Sequence, residues 1–203
     1  MPEDFRMSDP ISRRAFTTTF AASVVLGADA VAADPVEVAP MPSPKAVEAA
    51  LDRDYPPPAF KPQWRKPQIN RVLVQDFVMY AHSDLTMVKR LLEKEPGLLH
   101  SHMDWGGGDF ESGLGAASHV GNRDIALFLL DKGARIDIFC ATMMGYLDVV
   151  KGLLATNLNL INAKGPHGIG LHMHARMGGK DAEKVLEFLQ GIKKVEFPMP
   201  KKQ

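Results

Sequence analysis

Three glycines in this chain recur with the same company: Gly121-Asn122-Arg123-Asp124, Gly145-Tyr146-Leu147-Asp148 and Gly178-Gly179-Lys180-Asp181. Each reads Gly-x-x-Asp. A glycine takes the left-handed backbone that joins two antiparallel helices, and an aspartate three residues on falls in the first turn of the second helix, where the dipole favours a carboxylate. The pattern predicts a helix-turn-helix unit used repeatedly. Leu129-Leu130 and Leu153-Leu154 follow two of the glycines as the buried faces of second helices, and Leu91-Leu92 marks an earlier unit in which Ser83 replaces the glycine. Eight helices are expected, over 70–81, 85–94, 112–120, 123–131, 138–144, 147–155, 169–177 and 181–191. Pro96 closes the second and Gly133 the fourth.

The glycines lie 24 and then 33 residues apart. A unit of about 33 residues with a Thr-Pro-Leu-His-x-Ala signature defines the ankyrin repeat. Ser112-Gly113-Leu114-Gly115-Ala116-Ala117 and Ile169-Gly170-Leu171-His172-Met173-His174-Ala175 occupy the signature, and Asp131-Lys132-Gly133-Ala134-Arg135-Ile136-Asp137 is similar to the family's closing Gly-Ala-Asp-Val-Asn. Residues 69–194 therefore resemble an ankyrin-repeat domain. The resemblance implies an all-α solenoid of about four helix-turn-helix units with short β-hairpin fingers, enough units to bury a continuous core. Two departures reshape it. The third unit is nine residues short, about the length of a finger, so residues 138–144 should enter their helix without one. The finger between the first and second units is about five residues too long and contains Trp105-Gly106-Gly107-Gly108-Asp109-Phe110.

Ahead of this domain, Ser12-Arg13-Arg14-Ala15-Phe16 precedes a weakly apolar run, Thr17 to Ala32, that is too short for a membrane helix and ends in Ala30-Val31-Ala32. Residues 1–32 resemble a bacterial twin-arginine (Tat) signal peptide, which implies a periplasmic or otherwise exported protein with no stable membrane anchor after cleavage. A native amphipathic helix with a chance arginine pair is the alternative. Residues 33–68 hold nine of the fifteen prolines and read as a spacer, either a tether or an arm packed through Tyr55, Phe60 and Trp64. Residues 195–203 form a tail.

Enzyme motifs are absent. Gly106-Gly107-Gly108 lacks the Lys-Ser/Thr of a phosphate loop, and neither Ser112 nor Ser118 has a nucleophile-elbow context. Lysines and arginines equal aspartates and glutamates at 24 each, so no global field attracts nucleic acid. The single cysteine, Cys140, excludes an internal disulfide and reads as core. His100, His102 and Asp104 alternate along the rising arm of the long finger about 6.6 Å apart per step, close to metal-ligand geometry, although a solvated hairpin face explains them as well. His172 and His174 face opposite ways on a helix and share no metal. His172 occupies the signature position, which implies a hydrogen bond between neighbouring loops.

Ankyrin proteins present a groove of finger tips and first helices, and the two residues before each turn look into it. Those residues are Ala81 and His82, His119 and Val120, Met143 and Met144, and Arg176 and Met177. The resemblance implies a module that binds another protein without catalysis or cofactor. Its expected binding surface is Trp105, Phe110, His119, Val120, Met143, Met144, Arg176 and Met177, with no metal ligands assigned. A small-ligand or metal-binding protein that uses the histidine-rich finger is the alternative.

Overall fold

The structure, a computed structural model, describes residues 49, 51 and 53–197. The signal-peptide assignment at 1–32, most of the spacer and the end of the tail lie outside the described residues. The chain divides into two units after Ala59. What is described of the first is exposed and without helix or strand, as a proline-rich segment requires.

The second unit is mostly helical. Among the described residues eight α-helices pair in sequence: α1 (Arg71–Tyr80) with α2 (Leu85–Lys94), α3 (Gly113–Val120) with α4 (Arg123–Asp131), α5 (Ile138–Met143) with α6 (Leu147–Thr156), and α7 (Leu171–Met177) with α8 (Glu183–Ile192). Polar caps start them where the sequence changes character. Asp84, Ser112, Asn122 and Asp137 each accept a hydrogen bond from the amide three residues on, satisfying a helix-end donor. One antiparallel hairpin, β1 (His102–Asp104) with β2 (Phe110–Ser112), stands before α3, with Met103 opposite Glu111. Before α5 the chain has no strand, as the missing nine residues predicted. Phe60 and Trp64 are exposed, so they do not pack as an arm on this unit.

Two apolar clusters form the core. Val74, Phe77, Leu98, Ile125 and Leu129 lead the first, and Val150, Leu154, Leu171, Val185 and Leu189 the second. The six-residue α5 is shared between them: Cys140 and Met143 serve the first, Ile138 and Ala141 the second. Flanked on both sides, α5 leaves no side of its last turn free, and Met143 and Met144 are buried. That corrects their assignment to an exposed groove. Burial pushes the Cys140 thiol up to about 11, which makes it inert at neutral pH.

The turns follow the glycine pattern with one exception. Gly121 (φ 76°) and Gly145 (φ 78°) are left-handed, but in the last unit Gly178 is helical and Gly179 takes the positive φ. Asp181 then falls in a 3-10 turn ahead of α8 and pairs with Arg123, 3.2 Å away, instead of lying in the first turn of that helix. A side chain on Gly121 would meet the carbonyl of Met177, and one on Gly145 the carbonyl of Asp181. The last helix pair thus reaches the second directly, past the shortened third, whereas in a regular repeat each unit touches only its neighbours. Gly121→Ala and Gly145→Ala should each cost about 1–3 kcal/mol, because strained backbone and steric overlap coincide. Urea midpoints unchanged in both variants would contradict this packing.

Candidate metal centre

Strand alternation turns Glu111 inward between the outward Phe110 and Ser112, and its side chain is fully buried. A buried carboxylate costs several kcal/mol unless charge or hydrogen bonds compensate it. No lysine or arginine among the described residues reaches it. Its neighbours are instead one indole and three imidazoles. The Trp105 Nε1–H donates to Oε2 at 2.8 Å. His82 Nε2 and His167 Nε2 stand 3.6 and 3.7 Å from the same oxygen, and His119 Nδ1 stands 2.8 Å from Oε1.

Each histidine comes from a different place in the fold. His82 follows α1, and its Nδ1–H donates to the Val78 carbonyl at 3.0 Å. A carbonyl only accepts, so Nδ1 carries a proton and Nε2 is the ring atom turned toward Glu111. His119 lies in the last turn of α3. His167 belongs to the loop before α7 and is the one described non-glycine residue with a left-handed backbone, φ 57°. Such a conformation persists where surrounding contacts over-determine it. Asp109 supplies them: its carboxylate accepts the His167 amide at 2.9 Å and Nδ1 at 2.8 Å, leaving Nε2 to face Glu111. The His167 amide, joined by its ring, holds the Asp109 carboxyl below its ordinary range.

The distances fit a shared cation better than direct pairing. At 3.6 and 3.7 Å the His82 and His167 nitrogens are beyond hydrogen-bond reach of Glu111. His119 Nδ1 and Glu111 Oε1 are close enough but misaligned, and neither makes a hydrogen bond. One donor atom from each of His82, Glu111, His119 and His167 lies within 4.8 Å of the others. Donors around a four-coordinate ion with bonds of about 2.1 Å sit about 3.4 Å apart, so binding requires a modest contraction. The outer support is already in place, with Val78 behind His82, Asp109 behind His167 and Trp105 on the free side of Glu111.

The residues expected from sequence divide between this cluster and other places. His119 is a member, and Trp105 touches it, its ring packing edge-on against His82 and His167. Phe110 and Met177 are exposed, Val120 is half-buried, and Arg176 lies over the Phe197 ring. The histidine-rich arm is not the site. His102 donates to the carbonyl of His100, and Asp104 accepts the amides of Gly106 and Gly108, so these side chains brace the finger itself. His172 bonds the Lys193 carbonyl. His174 is buried against Phe139, and burial lowers its pKa. Glu111 and His167 were not singled out from sequence. The usable signal was the shortened third unit, which brings the loop of the fourth beside the finger of the second.

No protein-family model matches this chain, and no curated protein or solved structure matches it. In a chelator, Glu111→Gln should stabilise the protein by about 1 kcal/mol or more, since it removes a buried carboxyl group that no lysine or arginine faces yet keeps an acceptor for Trp105. A lower melting temperature would mean that the chain itself balances the carboxylate.

Proposed function

We propose that this protein binds one divalent first-row transition-metal ion through His82, Glu111, His119 and His167. The observation that carries the reading is the buried Glu111, faced by three imidazoles, two of them held by hydrogen bonds at Nδ1 that leave Nε2 turned toward it. Three nitrogens and one oxygen favour zinc, copper or nickel over calcium and magnesium, which prefer all-oxygen shells. Metal binding was the alternative from sequence, but the donors differ from the finger arm then considered. Full-length protein stripped with chelator, reloaded with each metal in turn and desalted should retain one equivalent of zinc or copper by elemental analysis, and neither calcium nor magnesium. Glu111→Gln should abolish retention, and Asp109→Ala should weaken affinity about 10- to 100-fold through His167. Equal retention by both variants would refute the site.

The scaffold is an ankyrin-type stack in this reading, supported by the signature residues, the paired helices and the single finger. A protein partner is the second reading, and the exposed Phe110 beside the finger tip favours it. The twin-arginine pattern supports export. Among the described residues no helix is long and apolar enough to cross a membrane. Replacing Arg13 and Arg14 by lysine should hold the precursor in the cytoplasm, and normal export of that variant would remove the Tat assignment.

A further inference from the structure

We infer that the bound ion accepts an exchangeable fifth ligand on its solvent side, beyond the four protein donors, and that small monoanions are the ligands it takes there. The inference rests on the metal-binding reading and extends it from holding an ion to using one.

Burial around the donors is graded. The Glu111 side chain is 0% exposed, His119 10%, His82 23% and His167 32%. The carboxylate is therefore the floor, the rings are the walls, and water reaches the site from the side opposite Glu111. The donor chemistry agrees. Structural zinc sites are closed tetrahedra built largely on thiolate, whereas imidazole and carboxylate sets recur where an exogenous ligand completes the shell. The only cysteine, Cys140, is buried in the core and absent from the cluster. Nor is the ion needed to complete the core, since both apolar clusters are assembled from other residues.

Charge selects the ligand. Three neutral imidazoles and one carboxylate leave a divalent ion with a formal excess of one positive charge. The nearest other acid, Asp109, has its two oxygens occupied by the amide and ring of His167. A monoanion restores neutrality. Size selection comes from Trp105, which is 38% exposed, so it stands at the rim. Its ring lies 6.1 Å from that of His82 and 5.1 Å from that of His167, and its N–H is pinned to Glu111. It walls one side of the opening and favours anions of azide or formate size over aromatic carboxylates.

Full-length protein loaded with cobalt(II) and titrated with azide tests this by visible absorption. A spectral change that saturates at one azide per ion, reversed by formate, is expected. Benzoate should bind at least about tenfold more weakly than formate, and Trp105→Ala should narrow that gap by about tenfold. One equivalent of cobalt with a spectrum indifferent to excess azide would refute the open position and leave the metal site standing. Failure to bind cobalt, zinc or copper at all would refute both. Equal binding of benzoate and formate by the unmodified protein would remove Trp105 from the role given to it.

Discussion

The hydrogen bonds between Asp109 and His167 join residues 58 apart in sequence, and the candidate site depends on them. They tie the finger of the second helix pair to the loop of the fourth. In a stack of full-length units such a contact is out of reach, because a unit between them would interpose a finger of its own. Here α5 has six residues and no hairpin before it, and α7 closes against α3 through Gly121. The lack of a hairpin directly before α5 leaves room for the finger before α3 to meet the loop before α7. The left-handed backbone of His167 is part of the same arrangement, since the Asp109 carboxylate holds both its amide and its ring.

A buried carboxylate surrounded by imidazoles is a poor choice for stability alone. Glu111 could be replaced by an apolar or amide side chain with little geometric consequence for a two-stranded hairpin, and the fold would gain. That it is a carboxylate, and that two of the three rings are braced from behind, places the conflict between stability and the proposed function at one residue. Among the described residues five of the eight α-helices start on side-chain caps, the apolar faces are buried in two clusters, and the polar finger tip is closed by Asp104.

The helices were legible because their signals are local. All eight begin within two residues of the expected position, since the caps at Asp84, Ser112, Asn122 and Asp137 and the glycines at 121 and 145 act on the residues next to them. The centre was only half legible. Register placed His82 and His119 on a common strip before the interhelical turns, and Trp105 on the finger above it. Glu111 gave no sign, because a single acid before a serine cap reads as a solvated hairpin residue, and only pairing with Met103 turns it inward. His167 depended on the short connection before α5, which lets two segments distant in sequence meet. Met143 and Met144 misled for the related reason that a helix of six residues between two neighbours has no free face, whatever its register.

Three of the four proposed donors lie outside the α-helices, and the fourth, His119, lies in the last turn of α3. His82 follows the end of a helix, Glu111 sits on a three-residue strand, and His167 lies in a loop between glycines 165 and 168. A helix interior must serve packing on several sides at once, so a donor placed there would disturb both clusters, as the shared α5 illustrates. Finger and loop positions answer to fewer neighbours, and their polar atoms can be aimed by one or two hydrogen bonds each. The helix pairs fix where those irregular segments emerge. Asp109, Val78 and Trp105 then set the last few ångströms, which is why altering a residue that never touches the proposed ion should still loosen its hold.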